Sequence, residues 1–299
     1  MTQSDRYLDP EKFKRLRELR AAGPAAIAEA HASRTRRPLL GDDGRLFIIA
    51  ADHPARGALG IGDEPMAMAD RYALLDRLAL TLSRPGVDGV LGTPDVIDDL
   101  ALLGLLDDKV VVGSMNRGGL RGASFELDDR FTAYDVDGMV RDRLDFAKTL
   151  LRIDLDDAAT ATTIEATARA VTDASAASLP IMIEPFMSTR RDGHVVNDLS
   201  TESVITSVAI ASGLGSSSAC TWMKLPVVTE MERVMASTTL PTLLLGGERT
   251  AHPDVAYASW NDALALPGVR GLVVGRTLLY PPDHDVQRAV DTAAALVHA

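Results

Sequence analysis

Eight short apolar runs, rich in Val, Ile and Leu, recur along the chain, with segments of helical periodicity between them. Their starts lie about 20 to 45 residues apart, which suits a strand, a crossover helix and a return loop better than a β-hairpin. The runs are 46–50, 89–92, 110–113, 149–153, 179–183, 221–225, 242–245 and 271–274. Strands that alternate with helices throughout predict a parallel sheet, and eight such repeats predict an α/β fold, the closed (β/α)8 or TIM barrel.

Two of the connecting segments, 67–83 and 160–177, carry the clearest helical pattern. Segments 10–20 and 24–33 also predict short helices, and both precede the first strand. We therefore expect a short N-terminal helical extension, residues 1–45, followed by one barrel domain, residues 46–299.

The longest connection with weak periodicity runs over residues 114–135 and is rich in glycine and charge. It follows the third strand, so in a barrel it lies over the mouth of the active site. A long loop in this position predicts a lid.

The composition of the chain limits the classes of molecule that it is expected to bind. The chain has 299 residues and a formal net charge of -11, which argues against nucleic acid or an anionic membrane surface as a partner. We interpret the basic stretches 12–20 and 34–37 as solvated faces of the first helix and its linker. The single Cys220 excludes an intramolecular disulfide. No apolar run approaches the roughly 18 residues of a membrane span, and the first residues lack a signal-peptide core, so we expect a cytoplasmic protein.

Polar residues close several of the apolar runs. Because the active site of a (β/α)8 barrel forms at the carboxyl ends of its strands, these positions are the candidate site. They are Asp52, His53, Lys148, Arg152, Glu184, Lys224, Gly246, Gly247, Gly275 and Arg276. Period-two alternation places Lys148 and Arg152 on one strand face, and likewise Trp222 with Lys224.

Lys224 is a lone cation at the end of a short apolar run, two residues before Pro226. Apolar surroundings remove the solvation that favours the ammonium form, so the pKa falls and the neutral amine becomes a nucleophile for carbonyl carbon. This predicts Schiff-base chemistry. The alternative is a lysine whose amine extends from the strand end into solvent.

The other charged candidates admit two interpretations. As a structural network, Asp52, Glu184, Lys148, Arg152 and Lys224 compensate one another inside the barrel. As a catalytic set, Lys148 or Arg152 lowers the pKa of Lys224 by like-charge repulsion, while Asp52 and Glu184 move protons.

His53 is interpreted as a pocket-lining or substrate-contacting residue rather than a metal ligand, since no second histidine has ligand spacing to it. Gly246 with Gly247, and Gly275 with Arg276, follow the last two predicted strands. Loops at these strands bind phosphate in many barrels, where glycine lets backbone N–H groups approach the anion and arginine pairs with it. The alternative for Gly246 and Gly247 is a tight turn.

Taken together, these motifs resemble the class I, Schiff-base aldolases related to tagatose-bisphosphate, DhnA-type fructose-bisphosphate and deoxyribose-phosphate aldolases. The resemblance covers about residues 46–280, in order. It is carried by Ala-Ala-Asp-His at 50–53, Lys-Thr-Leu-Leu-Arg at 148–152, Ile-Glu-Pro at 183–185, Met-Lys-Leu-Pro at 223–226 and the Gly-Gly and Gly-Arg elements.

By this resemblance, Lys224 is the Schiff-base lysine, Glu184 and Lys148 are a proton-transfer pair, and Asp52 orients substrate or acts as an acid–base group. The resemblance also implies that Gly247, Gly275 and Arg276 contact the substrate phosphate.

The chain departs from the resemblance in two places, and both bear on the substrate. Arg152 stands where the related strand has tyrosine, and the loop 114–135 is peculiar to this chain, so we do not expect a hexose bisphosphate as substrate. The pattern also resembles a group of actinobacterial barrel proteins linked to inositol catabolism. That likeness implies a deoxy-ketogluconate phosphate, cleaved to a three-carbon phosphate and a semialdehyde.

The sequence therefore predicts a metal-independent class I aldolase, a carbon–carbon lyase without a cofactor, that acts on a phosphorylated keto or deoxy sugar and forms a homo-oligomer. Two alternatives stay open. One is a lysine-dependent transferase of thiolase or transaldolase type, and the other is a non-catalytic barrel that binds a sugar phosphate.

Overall fold

The computed structural model describes residues 7–116, 119–247 and 253–299. The strands are β1 (Leu46–Ala50), β2 (Gly89–Gly92), β3 (Val110–Ser114), β4 (Phe146–Ile153), β5 (Ile181–Arg191), β6 (His194–Asn197), β7 (Thr221–Leu225), β8 (Thr242–Leu245) and β9 (Val269–Val274). Among the described residues, eight of them, all but β6, pair in parallel in the ring β1-β2-β3-β4-β5-β7-β8-β9, and β9 closes on β1. The predicted (β/α)8 barrel is confirmed.

Helices separate the strands. They are α1 (Pro10–Ala22), α2 (Pro24–Ser33), α3 (Arg71–Leu82), α4 (Pro94–Leu102), α5 (Val136–Arg141), α6 (Ala159–Ala176), α7 (Thr201–Ser212), α8 (Met231–Met235), α9 (Pro253–Leu264), α10 (Arg276–Leu279) and α11 (Val286–Val297). Helix α3 begins four residues later than predicted, because Asp70 caps it by accepting the N–H groups of Tyr72 and Ala73. No helix in the described part of the chain is long and apolar enough to cross a membrane.

Alternating side chains of the strands fill two separate apolar cores. In β1, Ile48 faces the barrel interior, whereas Phe47 and Ile49 pack outward against the helices. Trp222 also faces inward, and its ring meets that of Phe146 edge to face at 5.4 Å. The predicted alternation is thus correct, since Lys224, two residues along β7, lies on the same face. The interior apolar layer forms the floor of the candidate site.

The linker after α2 covers the amino-terminal end of the barrel. Arg34 is buried and pairs with Asp145, at 3.1 Å, and Arg37 pairs with Asp88. The two carboxylates directly precede β4 and β2, and each also accepts a backbone N–H. The interpretation of 34–37 as a solvated face was therefore wrong for these two arginines, because the strand starts carry carboxylates that need countercharges.

One element was missed in the sequence. β5 runs beyond the predicted 179–183 to Arg191 and turns back into β6, which pairs with it antiparallel. Asp192 and Gly193 form the turn, both with positive φ (51° and 79°). An Asp-Gly pair between alternating residues is a hairpin signal, and it was available in the sequence. Arg190, near the tip, donates to the carbonyl of Ser124 in the loop 114–135 at 2.6 Å, so the hairpin braces this loop.

Candidate active site

Four ionisable side chains meet at the carboxyl end of the barrel, above the apolar floor. Asp52 follows β1, and Lys148, Glu184 and Lys224 lie on β4, β5 and β7. Lys224 Nζ lies 2.6 Å from Glu184 Oε1, and Lys148 Nζ lies 2.6 Å from the other oxygen, Oε2. Lys148 Nζ is also 3.4 Å from Asp52 Oδ2. All four residues are at most 9% exposed. The structure therefore brings together the four residues that the sequence singled out as catalytic.

Ser114 joins this cluster and was missed in the sequence. Its hydroxyl donates to Asp52 Oδ2 at 3.0 Å, and the residue is fully buried. Ser114 is the last residue of β3, so the rule that selected polar strand ends applies to it as well. With Asp52 held from two sides, its carboxylate is oriented toward Lys148 rather than toward solvent.

The environment of Lys224 differs from the one predicted. Its amine does not lie in purely apolar surroundings but contacts a carboxylate that it shares with Lys148. Two ammonium groups and two carboxylates leave the cluster without net charge, which is how charged groups are tolerated in a barrel interior. Both interpretations of the charged residues, as a structural network and as a catalytic set, predict this arrangement.

Glu184 is the centre of the cluster, and its pKa reflects this. Burial by itself raises the pKa of a carboxyl group, but the ammonium groups of Lys148 and Lys224 outweigh it and hold the pKa of Glu184 well below its ordinary value. Glu184 is therefore an anion at neutral pH as long as both lysines are charged.

The lowered pKa of Glu184 predicts how the free energy of unfolding depends on pH. The lowered pKa means that the Glu184 carboxylate stabilises the fold above the unfolded value of 4.5, and that this stabilisation is lost as pH falls through the folded pKa. We expect wild type to exceed Glu184→Gln in free energy of unfolding near neutral pH. The difference should shrink below about pH 4.5 and vanish in stronger acid. Urea unfolding of both proteins across this range measures it, and a difference independent of pH would contradict the assignment.

Arg152 is paired with carboxylates and is therefore not an uncompensated positive charge near Lys224. Its Nε lies 2.9 Å from Asp129 Oδ2, and its Nη1 lies 3.7 Å from Glu126. Both carboxylates belong to the loop 114–135, which the buried Asn116 fixes further by accepting the N–H of Leu150 at 2.7 Å. The charge of Arg152 is thus compensated by this loop. The cation that shares a carboxylate with Lys224 is Lys148. A direct substrate contact of Arg152 stays a prediction.

The loop packs so closely on Arg152 that only glycine fits at position 119. A Cβ there would lie 2.8 Å from Asp129 Oδ1 and closer still to the carbonyl oxygen of Glu126. We expect Gly119→Ala to displace the loop and to destabilise the protein by about 1–3 kcal/mol. Faster proteolysis within 114–135 and a lower unfolding midpoint would measure this.

Gly213→Ala is the matched control for that variant, since its Cβ would meet only Ile210 O, at 3.7 Å. If Gly119→Ala proved as resistant to protease as Gly213→Ala, the loop would not depend on this contact.

His53 lies beside the cluster, with its Nδ1 3.8 Å from Asp52 Oδ1. Burial, followed by the positive charges of Arg276 and Lys224, holds the pKa of His53 well below its ordinary value, so the ring is neutral at neutral pH. No group of three or more His, Cys, Asp or Glu side chains within the described residues is placed to hold a metal ion. A role for His53 in contacting substrate stays a prediction.

The predicted phosphate residues lie at the ends of β8 and β9. A Cβ at Gly246 would overlap Val274, and one at Gly275 would overlap the carbonyl of Ala50, so close packing of neighbouring strands requires both glycines. Gly247 has a φ of +67°, as the tight-turn alternative expects. Residues 248–252 lie outside the described residues. Anion binding by these glycines and Arg276 stays a prediction.

A cavity of about 470 Å³ opens beside Arg276. Its walls are Gly57, Gly60, Ile61, Gly62, Asp63, Pro65, Arg121 and Arg276. Most of these belong to the loop after β1, for which no role was predicted from the sequence. Arg56, directly before Gly57, is a second omission. Its Nε is buried without a hydrogen-bond partner among the described residues. An arginine four residues after Asp52, in a loop at the barrel mouth, was the signal.

Fold and site together define a (β/α)8 barrel with a buried lysine pair on one shared carboxylate at the carboxyl end of the strands. The chain belongs to the Cgl0159-like family, whose model matches residues 44–294. Among solved structures, Cgl0159 from Corynebacterium glutamicum is 69% identical with a TM-score of 0.96, over 98% of this chain and 99% of that one. A search of the curated proteins gives no significant match.

More distant structures share the fold. An archaeal fructose-1,6-bisphosphate aldolase, solved with its catalytic lysine bound covalently to a carbinolamine intermediate, is 22% identical with a TM-score of 0.65, over 91% of this chain and 100% of that one. The fructose-bisphosphate aldolase of Slackia heliotrinireducens is 15% identical with a TM-score of 0.59, over 99% and 95% of the two chains. At these identities the likeness establishes the barrel fold that aldolases use.

Proposed function

We propose that this protein is a class I aldolase, a lyase that cleaves a phosphorylated keto or deoxy sugar through a Schiff base on Lys224. The observation that carries the proposal is the contact of the buried Lys224 amine with Glu184, whose second oxygen binds Lys148. A nucleophilic amine, a proton acceptor within hydrogen-bond reach and a second acid–base group beside that acceptor are what carbinolamine chemistry requires.

The first step is removal of a proton from Lys224. Glu184 Oε1, at 2.6 Å, is the group placed to receive it. With both lysines charged, Glu184 is a weak base, because both hold its pKa down. Once Lys224 turns neutral, one of these two charges is gone and the affinity of Glu184 for the proton rises. The two titrations are therefore coupled, and the proton is passed within the cluster rather than lost to solvent.

The neutral amine then adds to the substrate ketone to form a carbinolamine. Loss of its hydroxyl group as water, with a proton from the acid–base groups, gives the iminium. A base, Asp52 or Glu184, removes the proton of the substrate hydroxyl group, the carbon–carbon bond breaks, and its electron pair moves into the iminium to leave an enamine. The aldehyde departs. Protonation of the enamine and hydrolysis release the second product and regenerate Lys224.

The remaining assignments are proposals of the same kind. We place the substrate phosphate at Gly246, Gly247, Gly275 and Arg276, and we give His53 and Arg152 supporting contacts to substrate. Membership of a family that includes a Corynebacterium protein agrees with the actinobacterial group noted in the sequence analysis, so a role in inositol or deoxy-sugar catabolism is the one to test first. Homo-oligomeric assembly is likewise proposed.

Reductive trapping tests the proposal. The protein is incubated with a panel of phosphorylated ketoses, deoxy sugars and keto sugar acids, each with and without borohydride, and then analysed by peptide mass spectrometry. We expect an adduct on Lys224 that adds the mass of the substrate less one oxygen atom, together with release of an aldehyde product. An adduct without cleavage would favour a transferase. Ligand binding without any adduct would favour a non-catalytic sugar-phosphate-binding barrel.

A further inference from the structure

Among the described residues, two arginines, Arg121 and Arg276, lie in the wall of the cavity and a third, Arg56, directly precedes the wall residue Gly57, which is more positive charge than one phosphate group requires. We propose that Arg56, with Arg121, binds a second anionic group of the substrate, a carboxylate or a second phosphate, at the other end of the molecule from the phosphate at Arg276. This inference deepens the proposed function and rests on it for the location of that first phosphate.

Arg56 is held rigidly next to the catalytic cluster. It ends the short 3-10 turn Pro54–Arg56, in which its N–H donates to His53 O at 3.2 Å and Gly57 N–H donates to Pro54 O at 2.9 Å. Its carbonyl oxygen accepts the N–H of Arg121 at 2.9 Å. Two loops, one after β1 and one after β3, are therefore joined at the point where each supplies an arginine.

One nitrogen of the Arg56 guanidinium has no acceptor in the part of the chain that the structure describes. Nε is buried without a hydrogen-bond partner among residues 7–116, 119–247 and 253–299. The carboxylates whose charge reaches it are already paired, Asp129 and Glu126 with Arg152 and Glu184 with the two lysines. Burial and the neighbouring charge of Arg152 lower the pKa of Arg56, which reflects the same shortage of acceptors. Buried polar groups in proteins are normally satisfied, so a ligand oxygen is the expected partner.

The cavity has the size and the charge for such a ligand. Its volume of about 470 Å³ is within the range of small-molecule sites. Arg276 and Arg121 lie in its wall, and Arg56 directly precedes the wall residue Gly57. Among the described wall residues the one acid is Asp63, which is exposed. A phosphate at Arg276 would leave the charges of Arg56 and Arg121 without an ion-pair partner among the described residues. The planar fork of guanidinium matches either a carboxylate or a phosphate.

Binding of non-reactive probes tests this independently of the chemistry. The probes are glucitol 6-phosphate with one anionic group, 6-phosphogluconate with a carboxylate at the other end, and glucitol 1,6-bisphosphate with a second phosphate there. None carries a free ketone that could form an iminium, so calorimetry reports recognition alone. We expect wild type to bind at least one of the two-anion probes about ten- to a hundredfold more tightly than glucitol 6-phosphate. Which one gains more identifies the second group.

Substitution of each arginine tests which of them provides the gain in affinity of the two-anion probes over glucitol 6-phosphate. Arg56→Gln should remove most of it and leave the affinity for glucitol 6-phosphate unchanged, and Arg121→Gln should remove part of it. Arg270→Gln is the control, since it deletes the same charge from the exposed start of β9, at the end of that strand away from Arg276. It should retain the full gain.

Equal affinity for one-anion and two-anion probes, failure of all three to bind, or an undiminished gain in Arg56→Gln would overturn the inference. These outcomes are distinct from failure of the proposed function, which is read from borohydride trapping at Lys224 and does not depend on the second anionic group.

Discussion

Lys224→Met is expected to abolish reductive trapping and to lower carbon–carbon cleavage by roughly a thousandfold or more, the scale of loss when a covalent nucleophile is removed. Methionine approximates the volume of the lysine stem and carries no amine, so the site keeps its shape while the nucleophile is gone. Glu184 keeps its contact with Lys148 in this variant, and the remaining cluster still contains a paired carboxylate. Peptide mass spectrometry after borohydride and a coupled assay of aldehyde release measure the two effects.

Lys109→Met is the matched control for this variant. Lys109 is partly buried, burial lowers its pKa, and its Nζ donates to Val87 O at 2.6 Å. It precedes β3 and so lies at the opposite end of the barrel. The variant should keep full trapping and activity. Cleavage that persists in Lys224→Met, or an adduct that maps to Lys148 instead, would refute the assignment of the nucleophile.

Glu184→Gln is expected to have the second large effect, on both stability and activity. The change leaves two buried ammonium groups without the carboxylate between them, and breaking a buried pair from one side costs about 3–5 kcal/mol. The same change removes the group that receives the proton of Lys224, so trapping should also slow by about 10²-fold or more. Chemical unfolding and the rate of adduct formation measure the two effects separately.

Two further variants are compared with Glu184→Gln. Glu165→Gln removes an acid from an exposed pair with Arg169 at 2.8 Å, and an exposed pair of this kind contributes well under about 1 kcal/mol. The double variant Glu184→Gln, Lys148→Met lacks one of the two buried ammonium groups that lose their carboxylate in Glu184→Gln. It should recover part of the lost stability without restoring activity. If Glu184→Gln unfolded like Glu165→Gln, the cluster would not be the buried network described above.

The barrel was predictable because its signal is local. Each strand contains a short apolar run, and some of the turns back toward the sheet are marked by pairs such as Pro267 and Gly268. The alternation along β7 also fixed that Trp222 and Lys224 share a face, which the structure confirms. The hairpin of β5 and β6 was not predicted because residues 189–191, at the end of β5, and 194–197, in β6, are half-buried or exposed and form no long apolar run.

The contacts within the site were less predictable. That Glu184 binds both lysines depends on strand register, since β5 lies between β4 and β7 and brings side chains 36 and 40 residues away onto one carboxylate. The capture of Arg152 by the acidic loop depends on how residues 119–129 fold back over β4, and a loop without periodicity gives no such information.

The sequence by itself determined the barrel, the strand on which each charged residue lies and the face to which it points, because periodicity and strand order are properties of the chain alone. Tertiary structure decided which charges pair. It gave Lys224 a carboxylate in place of an apolar pocket, paired Arg152 with Asp129, and left Arg56 Nε without an acceptor among the described residues. Pairing depends on distances of a few ångströms between residues far apart in sequence, and only the closed ring of strands sets those distances.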